Sequence, residues 1–159
     1  MNAGLSPSDK LAQRLALGIP AIALGFAYTS QYGFGLYPCE MCWWQRWPHF
    51  AAIALALVST VVATKRPWIA PAALAIAVSG AIGVFHAGVE YGWWEGVTAC
   101  TNMPEAGGDP LEAIFNAPIV RCDIAPFHFL GLSMAGWNAF VSLGSAAAIA
   151  ALLLRKDRT

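Results

Sequence analysis

Charge is scarce in this chain: 9 Lys and Arg and 9 Asp and Glu among 159 residues, 11% in all, against 58% hydrophobic residues. A water-soluble domain of this size would struggle to stay in solution at that balance, which excludes the ordinary soluble globular class. The two signs cancel to a net charge of zero, so no basic excess exists to hold nucleic acid. Cysteines number only four, room for at most two disulfides. No small-x-small cleavage site follows the first apolar stretch, so it reads as a retained helix rather than a removed signal peptide, although Lys10 and Arg14 precede it.

What the sequence does contain is four charge-free windows, Leu15 to Cys39, Trp47 to Thr64, Pro67 to Val89 and Ile124 to Leu154, of 25, 18, 23 and 31 residues. A hydrocarbon core needs about 20 helical residues, so each window holds one span. The expected fold is an all-α membrane protein, a single integral four-transmembrane-helix bundle over 1–159 with spans near 15–32, 44–64, 69–89 and 130–154. Two outward loops follow, 33–43 and 90–129.

Orientation comes from the charges. Lys10, Arg14, Lys65, Arg66, Arg155, Lys156 and Arg158 fall on one side with Asp9 and Asp157, a net +5, while Arg46 and Arg121 fall on the other with seven acidic residues, a net −5. The positive-inside rule makes the basic side cytoplasmic, with both termini inside. All four cysteines then lie in the outward segments, which make up less than a third of the chain. An oxidising compartment suits them. Trp43, Trp44, Trp47, Trp93 and Trp94 gather at the expected outer interface and Trp68 at the inner one, an anchoring role that needs no chemistry. In the long loop, Asp109-Pro110-Leu111-Glu112 starts a short helix with an N-cap Asp and Pro in its first turn. Leu111, Ile114 and Phe115 would lay it on the membrane surface.

Pro38-Cys39-Glu40-Met41-Cys42 stands at the start of the second helix, where unpaired N–H groups and the helix dipole favour a thiolate. Arg46, four residues beyond Cys42, lies on the same face about 6 Å along the axis. At an effective dielectric near 20, such a charge is worth at most about 3 kcal/mol to a thiolate. Snorkelling to the headgroups is its bland role; donation to a quinone oxygen is the functional one. A zinc site fits poorly, because Cys100 and Cys122 have 21 residues between them and form no second CxxC, so no metal is expected. A purely structural disulfide across so short a motif would constrain little. Cys100 and Cys122 admit two readings: a staple worth about 3 kcal/mol, or a relay exchanging disulfides with a soluble partner. His86, late in the third span, either packs against a neighbouring helix or serves a quinone as hydrogen-bond or proton partner. His49 and His128 carry no assignment.

Tyr37-Pro38-Cys39-Glu40-Met41-Cys42-Trp43-Trp44-Gln45-Arg46, then His86 to Trp94 leading to Cys100, then Phe129 to Asn138 after Cys122, together resemble the DsbB family of disulfide bond formation proteins over nearly the whole chain. The resemblance implies a quinone-linked thiol oxidoreductase of the bacterial inner membrane that reoxidises a periplasmic DsbA-like thiol oxidase. It implies attack by that partner at Cys100, exchange of Cys122 with Cys39, and engagement of quinone by Cys42 beside Arg46, with His86 near the ring. Ubiquinone is favoured over menaquinone. Gly96-Val97-Thr98-Ala99 departs from the family's more usual Gly-Pro-Thr-Ser, which bears on how Cys100 is presented. The alternatives are a vitamin K epoxide reductase-like enzyme, in which the loop cysteines precede the CxxC, and a redox-inert scaffold stapled by two disulfides.

Overall fold

A computed structural model of the chain describes residues 6–98, 100 and 120–155. The expected surface helix at Asp109 to Phe115 lies outside them. Four long helices run antiparallel: α1 Pro7–Phe34, α2 Glu40–Val61, α3 Arg66–Glu90 and α4 Met134–Leu154. α1, α3 and α4 are each long and apolar enough to cross a membrane. α2 has the length, but Gln45, Arg46 and His49 in its first half lower its hydropathy.

Each start has a local cause. Ser6 Oγ caps α1 by accepting from the Asp9 N–H at 3.2 Å, and Pro7 supplies a preset first-turn φ. α1 therefore begins well before the expected 15, its first two turns carrying Asp9, Lys10 and Arg14. It ends at Gly35, whose φ of 69° is the left-handed cap that L side chains resist. α4 starts at Met134 rather than 130, because residues 128–133 form a hairpin absent from the all-α expectation. Its strands are β1 His128–Phe129 and β2 Leu132–Ser133, antiparallel and turned at Leu130 and Gly131 with φ of 52° and 78°. Two successive positive φ values match the twist of a two-residue hairpin turn, and Ser133 then caps α4 through the Gly136 N–H.

The end of the bundle holding both helix-start charges is packed by small residues: Ala12, Ala16, Ala52, Ala56, Ala72, Ala73 and Ala146 close around Ile69, Ile76 and Ile149. Small side chains let helices approach closely where lipid supplies no hydrophobic drive. Gly80 and Gly83 mark a close approach of α3 to α4, since a Cβ at Gly80 would lie 3.0 Å from Leu143 N and one at Gly83 3.0 Å from both Ala135 O and Ala139 N. Arg66 Nε meets Asp9 Oδ1 at 2.9 Å, tying the starts of α1 and α3 together. The exterior is apolar, with Ile22 71% and Phe140 70% exposed, a surface suited to lipid rather than water.

Candidate functional site

The opposite end of the bundle gathers all four cysteines. Cys39 is the N-cap of α2, and its Sγ accepts from the Cys42 N–H at 3.2 Å, so the first turn of the helix presents a sulfur where a Ser or Asp would ordinarily cap. Cys39 and Cys42 are free thiols with sulfurs 2.7 Å apart. Cys100 and Cys122 form a disulfide across a Cα separation of 5.4 Å, contacted by the Thr98 hydroxyl. Cys39, Met41, Val89, Cys100 and Cys122 pack in one buried cluster, which Phe85 and Val120 border. Two motifs 58 or more residues apart in sequence thus share one core.

His86 of α3 sits between the pairs. Its Nδ1 accepts from the Gln45 amide at 2.8 Å, which leaves the proton on Nε2. That N–H donates to the Cys122 carbonyl at 3.1 Å and faces Cys39 Sγ at 3.6 Å. Glu90 Oε1 stands 3.7 Å from the same nitrogen, and its Oε2 has no partner among the described residues. With its proton on Nε2, such a ring can donate toward Cys39 and stabilise a thiolate there. Both of its nitrogens are engaged within the protein, and His86 also lines the cavity between the helices.

The hydrogen bond with Cys42, together with burial, holds the Cys39 thiol well above its ordinary range, so Cys42 is the sulfur of the pair that gives up its proton first. Just outside the cluster, Arg121 pairs with Asp123 and holds that carboxyl below the usual carboxylate range, which leaves Cys122 flanked by a neutralised pair.

Arg46 is buried, 6% exposed, and does not run out to solvent. Its Nη1 donates to Gln31 Oε1 at 2.8 Å and its Nη2 to the Ala27 carbonyl at 3.3 Å, both on α1. The guanidinium also lies 4.9 Å from the ring centres of Tyr28 and of Trp43, a tryptophan expected only to anchor. Its planar fork therefore joins α1 to α2 beside Cys42.

Between α1, α2 and α4 lies an apolar cavity of about 640 Å³, walled by exposed Ile22 and Phe26, by Phe127 and Trp137, and on the α2 side by Cys42, Arg46 and His49. That volume is in the range of small-molecule sites. A flat, largely apolar ring with polar ends fits this lining: hydrocarbon walls, guanidinium N–H groups at one end and, at another, His49, whose Nδ1 has no partner among the described residues. Cys39, Cys42 and His86 also bring three potential metal-donor atoms within 4.8 Å. Two thiolates on one tetrahedral zinc at about 2.3 Å would stand nearly 4 Å apart, and the Cys39 and Cys42 sulfurs are closer than that at 2.7 Å.

Gln45, Ser79, Glu90 and Asn138 were not evident from the sequence as site residues, yet they orient the site. Gln45 gives its amide N–H groups to Met41 O and His86 and takes one from Asn138 at 2.8 Å. The available signal was their polarity inside otherwise apolar helices, which marks functional positions in membranes.

No solved structure matches the chain. An uncharacterized protein of Rickettsia prowazekii (strain Madrid E) is 25% identical over 142 residues, 84% of this chain and 81% of its own length. The family described as Disulfide bond formation protein DsbB matches residues 9–152, a stretch that holds all four cysteines and all but the outermost two residues of α1 and of α4. With the two cysteine pairs meeting at one end of an apolar bundle, this chain belongs to the DsbB family.

Proposed function

We propose that this membrane thiol oxidoreductase reoxidises a DsbA-like periplasmic dithiol and passes the two electrons to membrane quinone, with both termini cytoplasmic and the cysteine end periplasmic. One observation carries the reading. The two cysteine pairs share a buried cluster through His86, and Cys42 alone of the four also lines the lipid-side cavity.

The partner's thiolate attacks Cys100 Sγ, the Cys100–Cys122 bond breaks, and the electron pair leaves on Cys122. With Cys39 and Cys42 joined as a disulfide at the start of the cycle, Cys122 attacks Cys39 Sγ and Cys42 leaves with the electron pair. The partner's second thiol then displaces Cys100, and Cys100 displaces Cys39 from Cys122, which restores Cys100–Cys122 and ends with Cys39 and Cys42 as thiols and the partner oxidised. A bound quinone supplies the sink for two electrons and two protons. The chain's own residues do the rest: His86 manages the proton at Cys39, Arg46 offers N–H groups at the cavity wall, and the apolar lining excludes water.

Purified protein mixed with reduced partner and ubiquinone should consume quinone absorbance catalytically, and unchanged absorbance with both ubiquinone and menadione defeats the proposal. Cys100→Ser should abolish turnover with the protein partner; normal turnover would make Cys100–Cys122 a staple.

A further inference from the structure

His49 is 3% exposed and lines the cavity from α2. Its Nε2 lies 3.0 Å from Asn138 Oδ1 and 3.0 Å from Ser79 Oγ. Asn138 is itself fixed. Its Nδ2 donates to Gln45 Oε1 at 2.8 Å and to the Ser79 carbonyl at 3.2 Å, while its Oδ1 accepts from Ser142 Oγ at 2.9 Å. An oxygen held that way can only accept from His49, so the imidazole carries its proton on Nε2. Nδ1 is then a bare lone pair, buried and without a partner among the described residues. Buried acceptors are seldom left so, because the desolvated group has lost water and gained nothing.

The ligand that would satisfy it is constrained by chemistry. A neutral imidazole nitrogen with a lone pair accepts and does not donate. A quinone offers only carbonyl acceptors, whereas its quinol offers O–H donors. His49 is seven residues beyond Cys42, two turns along the same helix face and about 10 Å down the axis. A ring with oxygens at opposite ends, each with a hydrogen-bond partner a little under 3 Å away, spans a comparable distance.

We infer that His49 Nδ1 accepts a hydrogen bond from the quinol hydroxyl remote from Cys42, so that the cavity favours the reduced ring over the oxidised one. This rests on the cavity being the quinone site. In the overall step the Cys39 and Cys42 S–H bonds break, an S–S bond forms between them, and two electrons and two protons reach the ring; His49 begins and ends neutral. Asn138, Ser79 and Ser142 act only as positioning residues that hold the tautomer.

The test compares equilibrium binding of a short-chain ubiquinol and the matching ubiquinone to the full chain in detergent, in a Cys42→Ser background that prevents turnover. His49→Leu should weaken the quinol about tenfold, the loss of one buried hydrogen bond, and change the quinone less than threefold. His49→Gln can offer its N–H group to Asn138 and its oxygen to the cavity, and should return quinol affinity to within threefold. Equal quinol affinity in His49→Leu, or parallel loss of both forms with no rescue by His49→Gln, overturns the inference. A chain with Cys42 intact that reduces neither ubiquinone nor menadione overturns the parent reading and this one with it, a different result from catalysis that persists without redox-selective binding.

Discussion

His86→Leu tests whether the histidine between the two cysteine pairs serves exchange or only packing. Leucine keeps an apolar body at the site but removes both nitrogens, so the Gln45 amide loses its acceptor and the Cys122 carbonyl its donor. Each buried group left unpaired costs about 1–3 kcal/mol, for a destabilisation of about 2–6 kcal/mol in total. If Nε2–H, 3.6 Å from Cys39 Sγ, also manages the proton in exchange with Cys122, general acid–base assistance worth about 100-fold or more is lost at that step alone. Rapid acid quench followed by mass-tag alkylation separates the steps, because partner attack at Cys100 yields a mixed disulfide before Cys39 and Cys42 become thiols. The first step should stay within about threefold of the unaltered chain, while arrival of electrons at Cys39 and Cys42 slows by about 100-fold. A lowered thermal midpoint with both steps near their original rates would refute the proton-handling argument and leave His86 as a core histidine.

Arg46→Ala should raise the apparent quinone KM about tenfold, and Arg46→Lys should recover little of it, because an ammonium cannot supply the planar fork that reaches Gln31 and Ala27 or stack on Tyr28 and Trp43; steady-state kinetics at varied quinone decide this, and a KM unchanged in both makes Arg46 a simple helix tie. Since Cys39 keeps its proton, limiting iodoacetamide on the reduced chain should label Cys42 first, and peptide mass spectrometry showing preferential Cys39 labelling would reverse the assignment of the charge. Gly88→Ala would put a Cβ 2.0 Å from Trp94 Cζ2, whose indole stacks on Phe85 and donates to the Phe85 carbonyl, so it should cost about 1–3 kcal/mol and alter tryptophan fluorescence. A thermal midpoint equal to that of the unaltered chain would mean that Trp94 is not held in that place.

Charge-free windows were enough to foresee four helices, because each backbone polar group in a bilayer must be satisfied within its own segment and only length and apolarity are then required. The same local logic reached Cys39 and Cys42, since a CxxC at a helix start has its dipole and capping groups within one turn. Helix ends were less legible. α1 runs eight residues earlier than its apolar window because Ser6 and Pro7 are capping residues that a charge count ignores, and α4 waits for Ser133 because the Leu130-Gly131 turn takes up the residues before it.

Pairing across the bundle was not legible at all. Cys39 lies 47 residues from His86 and 93 residues separate Gln45 from Asn138, yet these side chains meet, because antiparallel packing decides which polar residues of an apolar helix face one another. Arg46 illustrates the divide. Helical spacing put it near Cys42, but only α1, with Gln31, the Ala27 carbonyl and Tyr28, decided where its guanidinium points. For His49 the sequence offered a bare histidine with no assignment; Asn138, Ser79 and Ser142, brought in from α3 and α4, fix its proton on one nitrogen and leave the other facing no partner. The sequence alone determined that this is a four-helix membrane protein with a CxxC pair at the start of its second helix. Tertiary packing decided what those sulfurs touch, because a hydrogen bond is set by the few ångströms between side chains and not by their spacing along the chain.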